Sequence, residues 1–278
     1  MLASLLIVFR EVVEAGLIIG IVLAATRGVA WRALWVSIGI AAGVAGAGFV
    51  AAFAGQLAEL FRGSGQELFN ASILLLAVVM LTWHNVWMSG HGRAMAHGMK
   101  QVGAEVSAGE RPMAALAIVV GVAVLREGSE VVLFLYGIAS QGGSSVNAML
   151  IGGMLGLVAG AGTTALLYFG LLAIPPARLF SVTAGLITLL AAGMAAQAVL
   201  FVQQGGYFEH LTRTLWDTSW ILREDSIPGR LLHTLVGYND APNGAQVLAY
   251  ATTVLLILAL TRIERARHPR RQSVPRPA

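Results

Sequence analysis

The chain has 278 residues, of which 57% are hydrophobic and only 12% are charged, and its mean hydropathy is +0.76. Soluble domains carry about 25% charged residues, so this composition excludes an ordinary soluble domain and predicts a helical membrane protein. The net charge is +4, and the absence of cysteine excludes disulfides, thiolate metal ligands and thiol catalysis. The basic residues lie beside the ends of apolar segments, which is typical of membrane proteins rather than of nucleic-acid binding.

Seven apolar segments are long enough to cross about 30 Å of hydrocarbon. Each must be helical, because unpaired backbone groups cannot face lipid. The first segment lacks the basic start of a signal peptide and is therefore expected to be a span. The predicted spans are residues 2–25, 33–55, 67–89, 113–138, 146–173, 179–203 and 245–262.

The first and fourth spans each contain the motif R-E-x-x-E near their middle. A charge at the bilayer centre costs about 2.5–3.5 kcal/mol on insertion scales, so such residues usually line a functional path. The motif occurs twice, which predicts a duplicated unit with a shared polar site. Its residues are Arg10, Glu11 and Glu14, and then Arg126, Glu127 and Glu130.

The distribution of Lys and Arg predicts the orientation. Twelve lie in the connections 26–32, 90–112 and 174–178 and from Arg262 to the C-terminus, against four in the opposite connections. The positive-inside rule then places the N-terminus outside and the C-terminus in the cytoplasm. The connection 204–244, with its acids and aromatic residues, is predicted to be external, and the basic tail 263–278 is predicted to be a disordered cytoplasmic segment near anionic lipid.

With this orientation the two motifs lie on helices that run in opposite directions. Residues 2–89 and 113–203 would form an inverted repeat of three helices each, with one extra helix. Transporters with this design bind substrate near the midplane, where the repeats meet. The predicted fold is therefore an all-α polytopic membrane protein with seven transmembrane helices, and residues 1–262 are its permease domain.

Residues three and four apart share a helix face, so the glutamates of each motif point the same way. The two motifs together offer four carboxylates, Glu11, Glu14, Glu127 and Glu130, and the guanidiniums of Arg10 and Arg126 would orient them. This oxygen-only set suits hard cations such as Mg(II), Ca(II), Mn(II) and Fe(III). The alternative, two intrahelical salt bridges with no ligand, leaves Glu11 and Glu127 without partners.

The paired motif in spans one and four resembles the oxidase-dependent iron transporter family. Further similar segments are Gln66–Phe69, Leu81–Trp83, Ala191–Ala195 and the Gly237-Tyr238 pair. The family often has R-E-G-L-E, whereas this chain has Val12-Val13 and Gly128-Ser129 in the middle of the motifs. The two valines leave open whether the helices can approach closely at the first motif.

The resemblance implies an iron permease of the cytoplasmic (inner) membrane, not an enzyme, with the four glutamates as the translocation site. It implies that Fe(III) is carried after oxidation by an extracytoplasmic ferroxidase partner. Iron would be the transported substrate, with no tightly bound cofactor and no nucleic-acid partner. The alternative hypothesis is that the protein transports Mn(II) or another hard divalent cation. An intramembrane hydrolase lacks H-E-x-x-H and a paired nucleophile, and a purely structural subunit would tolerate loss of a motif glutamate.

Several other residues are open to two interpretations. Glu67 and Asp217 could be accessory cation ligands on the outside, or solvated acids. His84 could be a proton relay, a further ligand, or a hydrogen-bonding residue between helices, and Gln197 is similarly open. A cluster in the cytoplasmic connection could accept metal on exit, or be incidental: His91, Met95, His97 and Met99.

Overall fold

The computed structural model describes residues 1–60, 66–140, 145–170 and 176–267. This part of the chain is helical, with no strand beyond one isolated bridge between Thr214 and Asn243. The described helices are α1 (Leu2–Ala25), α2 (Arg32–Leu60), α3 (Gln66–Ser107), α4 (Ala114–Ser140), α5 (Val146–Tyr168), α6 (Pro176–Gln204), α7 (Ile227–Val236) and α8 (Gly244–Arg267).

Five of the described helical segments are long and apolar enough to cross a membrane, in α2, α3, α5, α6 and α8. Helices α1 and α4 have comparable lengths of 24 and 27 residues, but each carries the three charged residues of one motif. Large apolar side chains also remain exposed, such as Phe49 at 76% and Phe53 at 62% on α2. The chain is therefore a multi-pass membrane protein, and the seven-span count stays a prediction.

The helices pack chiefly in three pairs: α2 with α4, α1 with α5, and α3 with α6. Glycines permit the first two contacts. A Cβ added at Gly43 on α2 would lie 2.7 Å from the carbonyl oxygen of Gly121 on α4, and one at Gly156 on α5 would lie 2.5 Å from that of Leu5 on α1. Close backbone approach through small residues is the usual way in which membrane helices associate.

Helix α3 continues through most of the connection that the sequence predicted at 90–112. Its last turns pack on the rest of the bundle: a Cβ at Gly103 would meet Ala25, and Ser107 Oγ donates a hydrogen bond to the Ala25 carbonyl at 3.1 Å. Val106 joins a buried cluster with Val22 and Leu116. The prediction of a loop from residue 90 was wrong for residues 90–107, because packing supports a helix there that hydropathy does not indicate.

The segment between α6 and α8 contains the short helix α7, which the sequence analysis did not predict. Ser226 caps its start, where the Ser226 hydroxyl accepts a hydrogen bond from Gly229 N, and Gly237 ends it with φ +70°. Gly237 packs against Gly193, near the middle of α6, whereas Asn243 Nδ2 donates to Gln203 Oε1 at the end of α6. The segment therefore passes part of the way down α6 and returns.

The last helix begins with reciprocal capping. Asn243 N donates to Gln246 Oε1 at 3.0 Å, and Gln246 N donates to Asn243 Oδ1 at 2.9 Å. Two otherwise unpaired backbone donors are thereby satisfied. Helix α8 ends at Arg267, five residues beyond the predicted span. Residues 171–173 of the predicted fifth span and 268–278 of the predicted tail lie outside the described residues.

Candidate metal site

Helices α1 and α4 are in contact and bring the two motifs together near the middle of each helix. All four glutamates are buried, Glu11 with 1% of its surface exposed, Glu14 with 4%, Glu127 with 3% and Glu130 with 7%. Acids this deeply buried need compensating partners. The structure thus assembles the four predicted carboxylates in one region.

In the first motif a single arginine holds both acids. Arg10 Nη1 lies 3.0 Å from Glu11 Oε1, and Nη2 lies 2.9 Å from Glu14 Oε1. Arg10 is itself 3% exposed. Charge-assisted hydrogen bonds from a rigid guanidinium fix both carboxylate orientations, as the sequence predicted.

The second motif is held differently. Arg126 Nε lies 3.2 Å from Glu130 Oε1 but 3.9 Å from Glu127 Oε1. The Arg126 guanidinium is also stacked over the ring of Trp87 on α3, at 4.7 Å from the ring centroid. This cation–π contact orients Arg126 from a helix outside the two motifs.

His84 on α3 connects the two motifs. Its Nε2 lies 3.1 Å from Glu14 Oε2, and its Nδ1 contacts Glu130 Oε2. The ring is 2% exposed. His84 therefore lies in the site. The sequence analysis had left three interpretations open for this residue. The only signal available in the sequence was a histidine within an apolar span.

Three carboxylate oxygens in the described site have no hydrogen-bond partner, Glu11 Oε2, Glu127 Oε2 and Glu130 Oε2, and of these the Glu130 oxygen is in contact with His84 Nδ1. Buried polar atoms are nearly always paired, so such atoms require an explanation. Ligand atoms of Glu11, His84, Glu127 and Glu130 all lie within 4.8 Å of one another. A bound cation would satisfy the free oxygens, so the residues present fit a metal ion.

A largely apolar groove of about 650 Å³ adjoins the site between α1, α2, α4 and α5. Glu11 and Glu127 line it, and it extends along α1 to Leu23 and along α5 to Tyr168. The Thr164 hydroxyl also lines it, buried and without a hydrogen-bond partner among the described residues. The groove gives the two glutamates an approach from one end of the bundle.

The two predicted accessory acids are not brought to the cluster. Glu67 is exposed in the first turn of α3, 17 residues before His84, which corresponds to about 25 Å along a helix. Asp217 is exposed and accepts a hydrogen bond from Ser219 N at 2.8 Å. Hydrogen bonds from Ser219 lower the pKa of Asp217.

The acids of the segment between α6 and α8 instead organise that segment. Asp240 Oδ2 accepts from Glu224 N at 3.0 Å, and Glu224 Oε1 lies 3.2 Å from His233 Nδ1. Burial raises the pKa of Glu224, with the His233 charge opposing this shift and the Asp240 charge adding to it. A structural role accounts for these contacts.

The residues of the predicted exit cluster lie on a helix, not in a loop, and do not share one face. His91 Nδ1 lies 3.4 Å from Glu264 Oε1 of α8, and Met99 packs on a buried cluster. His97 is exposed. Since His97 is two residues from Met95, it points to the opposite side of α3. The four residues therefore do not form a common ligand set.

The comparisons with known proteins identify the family of this chain. The sequence matches the iron permease FTR1 family over residues 1–263. It is 32% identical over 256 residues to the ferrous iron permease EfeU of Escherichia coli O6:H1 (strain CFT073), covering 90% of this chain and 91% of that protein. It is 31% identical over 265 residues to the ferrous iron permease EfeU of Yersinia pestis, covering 94% and 93%.

No solved structure matches this chain. The family match spans nearly all of the sequence, and it includes both motifs. The chain belongs to the FTR1 iron permease family, whose members are permeases and not enzymes.

Proposed function

We propose that this protein imports iron across the cytoplasmic membrane through the buried glutamates of its two motifs. One observation carries the proposal: four carboxylates from two helices meet in an apolar bundle, and Glu11 and Glu127 keep oxygens with no donor. Salt bridges alone explain the contacts of Arg10 with Glu11 and Glu14 and of Arg126 with Glu130, but not these free oxygens. A multivalent cation explains both.

The oxidation state of the cargo is a separate question. The resemblance predicts Fe(III) handed over after oxidation by a ferroxidase outside the membrane, whereas the EfeU relatives are named for ferrous iron. Mn(II) is the alternative cargo, because carboxylates bind it by the same chemistry. Uptake measured with each ion separately distinguishes the three.

We further propose seven membrane spans, α1 to α6 and α8, arranged as an inverted repeat of three helices plus one. The packing supports this arrangement. In this repeat the helices α4, α5 and α6 are equivalent to α1, α2 and α3. The contact of α2 with α4 is then equivalent to the contact of α5 with α1, and the contact of α3 with α6 is equivalent to itself. A two-fold relation between the halves requires this equivalence.

Individual contacts follow the same relation. Gly39 and Gly43 on α2 approach Ala117 and Gly121 of α4. Gly152 and Gly156 on α5 lie 113 residues after these two glycines of α2. They approach Met1 and Leu5, which lie 116 residues before Ala117 and Gly121. The motifs themselves are also 116 residues apart. The repeat is therefore supported by register as well as by motif.

The same register explains the valines of the first motif. Gly128 on α4 faces Ala47 on α2, and the equivalent position on α1 is Val12, which faces Gly160 on α5. At one crossing the glycine is on the motif helix (Gly128 of α4), and at the other it is on the partner helix (Gly160 of α5). Helix approach at the first motif is thus preserved by Gly160.

In the proposed orientation the N-terminus is outside and the C-terminus is cytoplasmic. The groove then runs from Glu11 and Glu127 towards the cytoplasmic ends of α1 and α5, where Leu23 and Tyr168 lie. Movement of the two halves would open the site to one side at a time. Release through this groove is the inward step of the proposed cycle.

A hydrolase role finds no support in the site. The only hydroxyl within the motifs, Ser129 Oγ, donates to the carbonyl of Leu125 at 2.7 Å, and His84 is engaged by Glu14 and Glu130. No activated nucleophile is formed among these residues.

The test is iron uptake into liposomes by the purified protein, with Fe(II), Fe(III) and Mn(II) offered separately. We expect Glu11→Gln, Glu127→Gln, Glu14→Ala and Glu130→Ala each to reduce iron uptake at least about 100-fold, because each removes a buried carboxylate that binds the ion or holds the groups around it. Glu110→Gln, an exposed acid in the turn after α3, is the control and should transport normally. Normal uptake by Glu127→Gln that is correctly inserted would refute the proposed function.

A further inference from the structure

His84 lies outside both motifs but has an environment typical of a metal ligand. Its two ring nitrogens face carboxylates of different helices, Nε2 towards Glu14 and Nδ1 towards Glu130. A ring nitrogen of His84 also lies within 4.8 Å of ligand atoms of Glu11 and Glu127. An imidazole in this position is available to an ion bound between the glutamates.

The contact with Glu14 orients the ring. Histidines that bind metals usually donate the opposite N–H to a carboxylate, which fixes the tautomer and turns the lone pair towards the metal. Glu14 Oε2, at 3.1 Å from Nε2, can accept that hydrogen bond. The contact of Nδ1 with Glu130 Oε2 requires a proton on Nδ1 when no ion is bound. A bound ion would replace this proton, which is released, and with the other proton kept on Nε2 the lone pair of Nδ1 then points into the cluster.

The spacing of the four groups fits one ion. Metal–nitrogen and metal–oxygen bonds of about 2.0–2.2 Å place two ligand atoms at most about 4.4 Å apart. The donors of Glu11, His84, Glu127 and Glu130 lie within 4.8 Å of one another. A movement of a few tenths of an ångström would bring them to bonding distance.

The backbone next to His84 is anchored. Asn85 Nδ2 donates to Thr188 Oγ1 at 3.0 Å and to the Ala184 carbonyl at 3.1 Å, both on α6. His84 is therefore presented by the α3–α6 pair, separately from the helices that carry the motifs.

We propose that His84 is the fourth ligand of the transported ion, with Glu11, Glu127 and Glu130, and that Glu14 positions His84 and does not bind the ion. This inference rests on the proposed function and refines it. The ligand set then holds three carboxylates and one imidazole, not oxygen alone. Imidazole suits Fe(II) better than Mg(II) or Ca(II), so the site would select a divalent transition metal over the abundant hard cations.

The test uses Mn(II) bound to the purified full-length protein and pulsed EPR, which detects directly coordinated nitrogen. We expect nitrogen modulation in the unmodified protein, with the frequencies changed by ¹⁵N-histidine labelling. His84→Gln should lose the signal, whereas His97→Gln, an exposed histidine on the same helix, should keep it. Glu14→Gln should keep the nitrogen signal but weaken Mn(II) binding about 10- to 100-fold, as expected of an outer partner.

A selectivity measurement provides a second readout. His84→Glu restores an oxygen-only set, so the ratio of Fe(II) to Mg(II) binding should fall at least about tenfold. The inference is overturned if the unmodified protein shows no nitrogen modulation that responds to ¹⁵N-histidine labelling. It is also overturned if the protein fails to bind Mn(II). If uptake is lost in Glu127→Gln but no nitrogen is coordinated, the proposed function stands and only the ligand assignment of His84 fails.

Discussion

At the scale of single residues, the site is built from charged groups that hold one another in place. Arg10 divides its guanidinium between Glu11 and Glu14, whereas Arg126 is shared between Glu130 and the ring of Trp87. The two motifs have the same charged residues but not the same environment, since Arg10 is almost completely buried and the Arg126 side chain is 31% exposed. The orientation of the arginine in the second motif therefore depends more on its contact with Trp87.

Replacing Trp87 by alanine should weaken the second motif. A cation–π contact contributes about 0.5–2 kcal/mol, which corresponds to about a 2- to 30-fold change in an equilibrium constant. We expect Trp87→Ala to weaken metal binding to the purified protein by a factor in this range, because Glu130 loses its fixed partner. Trp83→Ala removes an equally large side chain from the same helix that is 71% exposed, and it should bind metal normally. Equal effects of the two changes would contradict the role given to Trp87.

At the scale of the helices, small residues decide which surfaces meet. A Cβ added at Gly128 would lie 2.7 Å from the Cβ of Ala47, whereas across the other pair Gly160 accommodates Val12. Since backbone positions fix these Cβ atoms, neither contact can be relieved by turning a side chain. One small residue is thus needed at each of the two crossings.

The Gly128–Ala47 crossing can be tested by exchanging sizes. Gly128→Ala should lower the free energy of unfolding by about 1–3 kcal/mol, as overpacking usually does. Adding Ala47→Gly should recover much of this loss, since it frees the space opposite. Thermal unfolding of the single and double variants in detergent measures the coupling. Additive destabilisation in the double variant would show that the two positions do not meet.

The approach of Gly237 to Gly193 determines how α7 is held against α6. A Cβ at Gly193 would lie 2.6 Å from the Gly237 Cα, and Gly237 itself has φ +70°. Gly193→Ala should therefore release α7 and make residues 205–243 more sensitive to protease. Gly185→Ala on the same helix meets nothing within 4 Å and is the matched control. Equal protease sensitivity of the two variants would argue against this packing.

At the scale of the whole molecule, each half contributes to the packing of the other. Helix α2 lies on α4, and α5 lies on α1, so helices from both halves of the chain surround the glutamates. The site exists only when both motifs meet, together with His84 of α3.

The proposed orientation can be measured directly because the chain has no cysteine. Thr212→Cys lies in the segment between α6 and α8, and Glu110→Cys lies in the turn between α3 and α4; both positions are exposed. We expect a membrane-impermeant maleimide to label Thr212→Cys in intact spheroplasts and Glu110→Cys only after lysis. The reverse pattern would invert the assigned direction of transport.

The sequence by itself determined the class of protein, the approximate start of each long helix among the described residues and the charged residues that the structure brings together. These follow from local properties: hydrophobic length fixes where a chain can cross lipid, and charges inside such a segment are too costly to be incidental. Family membership, now shown over residues 1–263, was also evident from the two motifs.

Only the tertiary structure decided what depends on contacts between distant segments. It brought His84, 70 residues from Glu14, between the two motifs, continued α3 to Ser107 by packing it on α1, and turned α7 back along α6. It also paired Val12 with Gly160. Hydropathy and motif spacing carry no information about these contacts, because they arise from how helices fit together and not from the properties of any one segment.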